Sequence, residues 1–506
     1  MIRGRFCPLF FLLRHKNKPT LNTTLMNLST SLSKNEQTLK QLLVSDDLSF
    51  TPIKIGETNG LVVFAKDLVD KELLGQLIIR PAYSFKGVPD GQSLEKTFFS
   101  PEKQKFQTVK ETVDEVVFGN AVLLCDGVDF SLSFGIKKFE QRAIMEPPTS
   151  TVIKGPREGF VESLPVNVSL IRRRIKSPHL IFENSQIGRF SQTTVTLCYI
   201  DNVADKKLVE SVKKKLKNIN IDAILDSSYV AKYLGDTKPS IFKKVGNTEK
   251  PDILVAKIME GRVALLIDGS PIALTVPYLL LEDFQSPSDY YNSSYSATTA
   301  RFIRLISVIL ALLLPALFVS AELFHLQLIP LSFLLTIVKS IKGIPLSPSY
   351  EMFFTFLIFE ILNEASVRMP RYVGMVVSIV GGLVLGETAV NAGIISPPTL
   401  MIIALSGICL YTVPELEQPL SFIRLFFLII AGSIGVYGII VAVSTLVIYL
   451  TTAESFNAPL LAPFSPLIRK DLKDSFYKGF LTEENSRPAS LGNKNKRRMA
   501  KENDDD

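Results

Sequence analysis

From Arg301 to Leu450 apolar residues follow one another with few interruptions, and charged residues crowd the chain on either side. Residues 302–324 and 423–450 are each long enough, at about 1.5 Å per residue, to cross a hydrocarbon core of roughly 30 Å as one helix. Residues 373–390 and 398–413 reach the lower limit for a span. Residues 329–341, with Lys339 near the end and Lys342 beyond, fit an interfacial or half-crossing segment. Pro315, Pro330, Pro345 and Pro414 punctuate these runs, so kinks or re-entrant turns are expected. Arg301 and Arg304 precede the first span, and Arg469, Lys470 and Lys473 follow the last. The positive-inside tendency then puts both ends on the cytoplasmic side with an even number of crossings, four being the expectation. Residues 301–450 are read as a helical transmembrane domain and 451–506 as a cytoplasmic polar tail.

Ahead of the apolar region the periodicity changes. Residues 61–79, LVVFAKDLVDKELLGQLII, give a β-rich run, an acidic turn and an amphipathic helix, and residues 196–214, TLCYIDNVADKKLVESVKK, give the same order. AVLLCDGVDFSLSF at 121–134 and RVALLIDGSPIALTV at 262–276 each read as strand, Asp-Gly turn, strand. The fold class expected is α/β: a soluble N-terminal region of two similar subdomains, 35–150 and 190–290, followed by a multi-span α-helical membrane domain. Residues 151–189 connect the subdomains. A type I′ hairpin accounts for Asp126-Gly127 and Asp268-Gly269 without any ligand. Residues 1–34 open with a basic start and a short apolar run, without a small-residue cleavage pattern. They are read as a disordered or interfacial extension, with Met26 as an alternative start.

Composition narrows the function. Among 506 residues with a net charge of +7, the basic side chains are dispersed among acids without interleaved aromatics, which fits an anionic membrane surface and no nucleic acid. Four cysteines lack paired spacing and there are three histidines, so neither a zinc site nor a disulfide framework is built, and a reducing compartment fits. GPREGF at 155–160 lacks the Lys-Ser/Thr ending of a phosphate loop. Arg157, Glu158 and the run Arg172, Arg173, Arg174 read as a solvated or subunit-facing surface. No nucleophile with a neighbouring base, no metal-ligand spacing and no cofactor loop emerges, so an enzyme is not expected.

The candidate chemistry lies between the spans. Residues 350–369 are too short and too polar for a lipid-facing span, and Glu360, Glu364 and Arg368 follow one another at one-turn spacing, making one helix face ionic. Such a face needs protein, a cavity or the interface beside it. It is either an acidic ring lining a cation path or a salt-bridge network at the membrane edge. Glu387, near Asn391, is either a polar cap or a pore and coupling group. Gly382 with Gly386, and Ala431 with Gly435, provide small faces for close helix packing.

PREGFVESLPVNVSLIRRRIKSPHL, EGRVALLIDGSPIALTVPYLLLEDFQSPSDYY and RMPRYVGMVVSIVGGLVLGETAVNAGIISPP, in this order, resemble the A subunit of the GerA-type spore germination receptors. The resemblance runs from about residue 60 to 475. It implies a spore inner-membrane protein working with a transporter-like B subunit that binds nutrient and a lipoprotein C subunit, and A subunits forming a homo-oligomeric ring in membrane lipid that releases ions. The family's Glu-(Ile/Leu)-Leu-Arg-Glu-Ala pattern maps to residues 360–365, with Asn363 where arginine is usual, which disturbs a simple charge-pair scheme. Its Thr-Glu-Arg-Pro element appears as Thr248-Glu249-Lys250-Pro251. The leading function is release of monovalent cations in response to nutrient, the alternative a non-conducting scaffold or coupling subunit of the same complex. A secondary transporter lacks its paired inverted halves here.

Overall fold

Strands buried on both faces organise the amino-terminal region. In the computed structural model, which describes residues 26–138, 154–235, 240–369, 384, 386–480, 485–493 and 495–498, the chain forms two compact units. The first contains α1 (Leu32–Leu42), β1 (Leu48–Ile55), β2 (Thr58–Ala65), α2 (Lys71–Leu74) running through a π turn into α3 (Arg80–Ser84), α4 (Gly91–Thr97), β3 (Gln104–Phe106), α5 (Val109–Val117), β4 (Ala121–Cys125) and β5 (Ser131–Phe134). Its antiparallel sheet has the order β1-β2-β4-β5-β3, with Leu61 opposite Leu124. Because side chains alternate along a strand, Val62 and Phe64 enter a core with Ile78, Leu94 and Phe98, while Leu61 and Val63 enter another with Leu39, Val113 and Val116.

The second unit repeats the plan. It contains most of α6 (Leu164–Arg174), then β6 (Leu180–Ile187), β7 (Thr193–Ile200), α7 (Lys206–Lys217), α8 (Ser227–Gly235), β8 (Gly246–Thr248), α9 (Pro251–Met259), β9 (Val263–Ile267) and β10 (Ala273–Val276). The order β6-β7-β9-β10-β8 reproduces the first sheet, and Leu197 faces Leu265 as Leu61 faces Leu124.

The Asp-Gly turns differ from the expectation. Five residues, not two, separate β4 from β5 and β9 from β10, and only the glycines have positive φ, 83° and 84°. The aspartates instead cap distant helices. Asp126 Oδ1 accepts the amide of Leu32 at 2.8 Å and Asp268 Oδ1 that of Leu164 at 3.3 Å. The Gly127 and Gly269 amides donate to the carbonyls of Thr30 and Glu162, each at 2.8 Å. An asparagine completes each motif: Asn35 exchanges two hydrogen bonds with the Ser29 backbone, and Asn167 two with Val161. Residues 26–34, assigned above to the extension, are therefore part of the first unit, with Leu28 and Leu32 in its core.

After a 3₁₀ turn (Leu280–Phe284), α10 (Ser294–Phe324) runs unbroken for 31 residues through Pro315. It is followed by α11 (Leu331–Ile341), α12 (Pro348–Arg368), α13 (Gly386–Asn391), α14 (Pro397–Leu410), α15 (Glu417–Ile434) and α16 (Val436–Thr452). Among the described residues two helices, Ser294–Phe324 and Pro414–Ile434, are long and apolar enough to cross a membrane, and α11, α14 and α16 are shorter apolar helices. The run 423–450 is not one helix. Gly435, at φ 74° and ψ −149°, breaks it into α15 and α16, a conformation that side chains disfavour. At 21 residues α12 is long enough to span, so charge and not length sets it apart. Most of residues 373–390, read above as a span, lie outside the described residues.

The segment after α16 is no free polar tail. A two-stranded turn (Glu454–Ser455 with Ala458–Pro459) returns to the second sheet. There the Tyr278 amide donates to Ser455 Oγ at 2.9 Å and the Leu280 amide to the Leu460 carbonyl at 2.9 Å.

Candidate functional site

The charges of α12 divide into an inner and an outer set. Glu360 faces Arg424 of α15, Oε1 to Nη1 at 3.6 Å. Arg424 is 2% exposed, and its guanidinium carbon lies 5.0 Å from the centroid of the Phe356 ring. Among the described residues none of its three nitrogens has a hydrogen-bond partner, so this buried cation relies on one long ion pair and an aromatic face. Sequence reasoning missed Arg424, although a lone arginine inside an apolar run is the signal to look for.

Asn363 stands between two elements. Its amide donates to Glu417 Oε1 at 2.6 Å and its carbonyl oxygen accepts from Tyr411 Oη at 2.8 Å, linking α12 to the turn before α15 and to its first residue. An arginine is not required here for the helices to be joined. Glu364 and Arg368 pair with each other at 2.5 Å and point outward, 65% and 78% exposed in the single chain. The one ionic face read from the sequence is thus split, with Glu360 turned to protein and the Glu364–Arg368 pair away from it.

Glu387 and Asn391, on the short α13, are exposed and do not join this cluster. Gly386 is buried and faces Leu400 of α14; Gly382 lies outside the described residues. Ala431 is buried in the helix core. Gly435 is a break and not a packing step: a Cβ there would stand 3.0 Å from the Phe324 ring.

Arg172 is neither solvated nor free to face another subunit. Within the first unit its Nε and Nη2 donate to the two Asp47 oxygens at 2.9 and 2.8 Å, and it is 1% exposed. Arg173 and Arg174 are half-buried on the next positions of α6; Arg157 is exposed and Glu158 half-buried. The PREGF and Thr-Glu-Lys-Pro motifs meet in the second unit. Lys250 Nζ donates to the Pro156 carbonyl at 3.3 Å and the Phe160 amide to the Glu249 carbonyl at 2.8 Å.

Where the second sheet meets the helices, ion pairs accumulate. Glu282 receives Lys257 at 2.6 Å and also pairs with Arg262, whose Nη1 donates to the Pro277 carbonyl at 3.1 Å. Burial pushes the Glu282 carboxyl up, but the two cations outweigh it and hold it at about 2. Next to it, burial raises Asp283 to about 6 despite Lys243 at 3.0 Å, a lysine shared with Glu415. Asp289 pairs with Arg301 at 3.1 Å and Arg304 at 2.5 Å, and Arg301 also reaches Asp474 at 3.0 Å. Tyr449 of α16 closes the junction, accepting the Ile241 amide at 3.0 Å. Arg301 and Arg304, read as topology signals, are therefore structural pins between α10, the turn before it and the returning tail.

These features define a class: a duplicated antiparallel α/β module sewn to apolar helices that hold charges inside. The chain belongs to the family described as Bacillus/Clostridium GerA spore germination protein, whose pattern matches residues 36–490. It is 34% identical to spore germination protein KA of Bacillus subtilis over 97% of this chain and 91% of that protein. It is 33% identical to the uncharacterized membrane protein YfkQ of the same organism, covering 94% of each. Among solved structures, the N-terminal domain of the A subunit of the Bacillus megaterium spore germinant receptor GerK3 aligns with 28% identity and a TM-score of 0.40, over 50% of this chain and 98% of that one.

Proposed function

We propose that the chain is the membrane-embedded A-type subunit of a nutrient-responsive spore germination receptor, in the spore inner membrane with both ends on the core side. It assembles into a homo-oligomer beside a transporter-like B subunit and a lipoprotein C subunit, and releases monovalent cations when nutrient binds. The observation that carries this reading is the division of charge on α12. Glu360 and Asn363 bind to α15 and the turn before it, while Glu364 and Arg368 stand uncovered near the end of the same helix. Charges left open at that depth need a second copy or a water path, and acidic rings attract cations. Large apolar side chains exposed along the helices, such as Phe422, Phe426, Ile440 and Ile448, supply a surface for lipid or for neighbouring copies.

The test is flux. Full-length protein in liposomes should assemble and pass potassium or sodium, and Glu364→Gln should lower the flux while leaving the oligomer intact. An unchanged flux removes the acidic-ring reading. The second reading, a non-conducting scaffold or coupling subunit, draws on the protein-facing Glu360–Arg424 and Asn363–Glu417 contacts. A correctly assembled complex that passes no ion under nutrient would establish it.

A further inference from the structure

The second sheet and the apolar helices meet at one level. Lys243 bridges Asp283, in the turn before α10, and Glu415, in the turn before α15. Two residues earlier, the Ile241 amide donates to Tyr449 Oη in the last turn of α16. The opposite end of the same helices is marked by Gly435, which lies against Phe324, the last residue of α10. Residues 240–243 therefore stand where apolar helices give way to a polar module, which is the depth of the headgroups in a bilayer.

Two helices of the module end beside this level. Gly235 closes α8, and a Cβ on it would stand 3.5 Å from the Cβ of Lys244. The carbonyl of Lys244 accepts Ser455 Oγ at 2.6 Å, just beyond α16. Near the end of α7, Lys215 Nζ donates to the Leu234 carbonyl of α8 at 2.5 Å. The same ammonium lies 4.2 Å from the centroid of the Phe456 ring, in the turn that follows α16. The ends of α7 and α8 are thus fixed against the exit of the last helix.

Their outward sides carry positive charge and aromatic surface. Helix α7 turns Leu208, Val209, Val212 and Leu216 into the core and sets six lysines against one glutamate. Lys213 pairs with Glu183 at 2.6 Å, but Lys214, Lys217 and, on α8, Lys232 are exposed and enter no ion pair among the described residues. Next to Lys232, Tyr233 is 46% exposed, and Ile241 is 45% exposed. Exposed acids on these elements are fewer, Glu210 on α7 and Glu454 after α16, and α8 has none. A tyrosine with an apolar ring and a polar tip suits the boundary between chains and headgroups, and lysine stems lie along apolar surface while their ammonium groups reach phosphate. A lipid surface of negative charge attracts each such lysine. The helices bring that surface beside these residues, so a soluble partner would have to displace it.

We propose that the ends of α7 and α8, through Lys214, Lys217, Lys232, Tyr233 and Ile241, rest in the headgroup layer of the leaflet at which α16 ends and bind its anionic phospholipids. The proposal rests on reading these helices as membrane-embedded. It makes anionic lipid a ligand of the second sheet's module, held where that module joins the helices.

The chain contains no tryptophan, so a single substitution introduces a unique fluorescent reporter. Full-length protein carrying Tyr233→Trp is placed in nanodiscs of phosphatidylcholine and phosphatidylglycerol, and quenching by iodide is compared with quenching by lipids that carry a doxyl group near the headgroup. Ile440→Trp, at an exposed position of α16, reports on embedding through lipids labelled deep in the chain. Residue 233 should be quenched by lipid and shielded from iodide. Doxyl-labelled phosphatidylglycerol should be preferred over labelled phosphatidylcholine by roughly fivefold or more, the attraction of one lysine at the surface. Lys214→Gln, Lys217→Gln and Lys232→Gln together should bring that preference close to one without changing elution on size exclusion. Lipid quenching at 440 with iodide quenching at 233 overturns this surface and leaves the helices embedded. Absence of lipid quenching at both positions overturns the embedding and the surface with it. A residue 233 hidden from iodide and lipid alike is covered by a second copy or another protein, which also overturns the proposal, as does equal quenching by the two labelled lipids.

Discussion

The two sheets share an order of strands and a capping device, yet they treat the same interior positions differently. In the first, Glu115 accepts from Asn120 at 2.5 Å and from Ser133 at 2.6 Å, a polar group closed within the repeat. The corresponding positions of the second are Lys257, Arg262 and Thr275. Their counter-charge is Glu282, which lies beyond the last strand in the turn leading to α10. The duplicated fold is thus self-contained in one copy and open in the other. Glu260, at the end of α9, lies 3.4 Å from Arg262, and the rest of the balance in the open copy comes through the chain entering the helices.

The largest effect should come from breaking that balance. Arg262→Ala leaves Glu282 buried with one cation fewer and should cost about 3–5 kcal/mol. Asn120→Ala in the closed copy should cost about 1–3 kcal/mol. Thermal unfolding of the full chain in detergent measures both, and equal losses would erase the distinction between the sheets.

Next in size is the response to pH, read by hydrogen exchange in peptides from β4 and β9. Each unit holds an aspartate raised to about 6, Asp67 by burial and then Asp47, Asp283 by burial. A carboxyl raised in the folded state adds stability that is complete below its ordinary value and is lost as pH rises through 6. Protection of both strands should therefore increase as pH falls from 7 to 5. Asp283→Asn should remove the increase in β9 and leave it in β4; loss in both strands would contradict separate units. Glu282 has the opposite sign, since its carboxyl is held down, and its contribution fades only as pH falls below about 4 towards 2.

The smallest effect concerns what the copies share. Asp126→Ala and Asp268→Ala each remove a helix cap, and each should cost about 1 kcal/mol. Exchange at the first amides of α1 and α6 should quicken similarly in the two variants. A loss confined to one copy would show that the turn is structural in that copy alone.

The duplication was legible because its signals are local: alternating apolar runs, an acidic turn and Asp-Gly at matching positions. What the aspartates do was not, because their partners, Leu32 and Leu164, lie about a hundred residues upstream. Periodicity also failed at Gly435. An unbroken apolar run says nothing of backbone angle, and only the close approach of Phe324 shows why the helix stops there. In the candidate site, Glu360, Glu364 and Arg368 were visible as a helical face and Asn363 as a departure from the family pattern, but their inward and outward division depends on Arg424, Glu417 and Tyr411, which come from elsewhere in the chain. Arg172 was misread for the same reason: three adjacent arginines look alike until Asp47 selects one of them.

The chain leaves the second sheet at Tyr278 and comes back to it at Ser455, and one hydrogen bond joins the two points. Everything from α10 to α16 is therefore fastened at both ends beside the same strand, with the Leu280–Leu460 and Ile241–Tyr449 bonds close by. The entry and the exit of the helical region thus share one footing on β10.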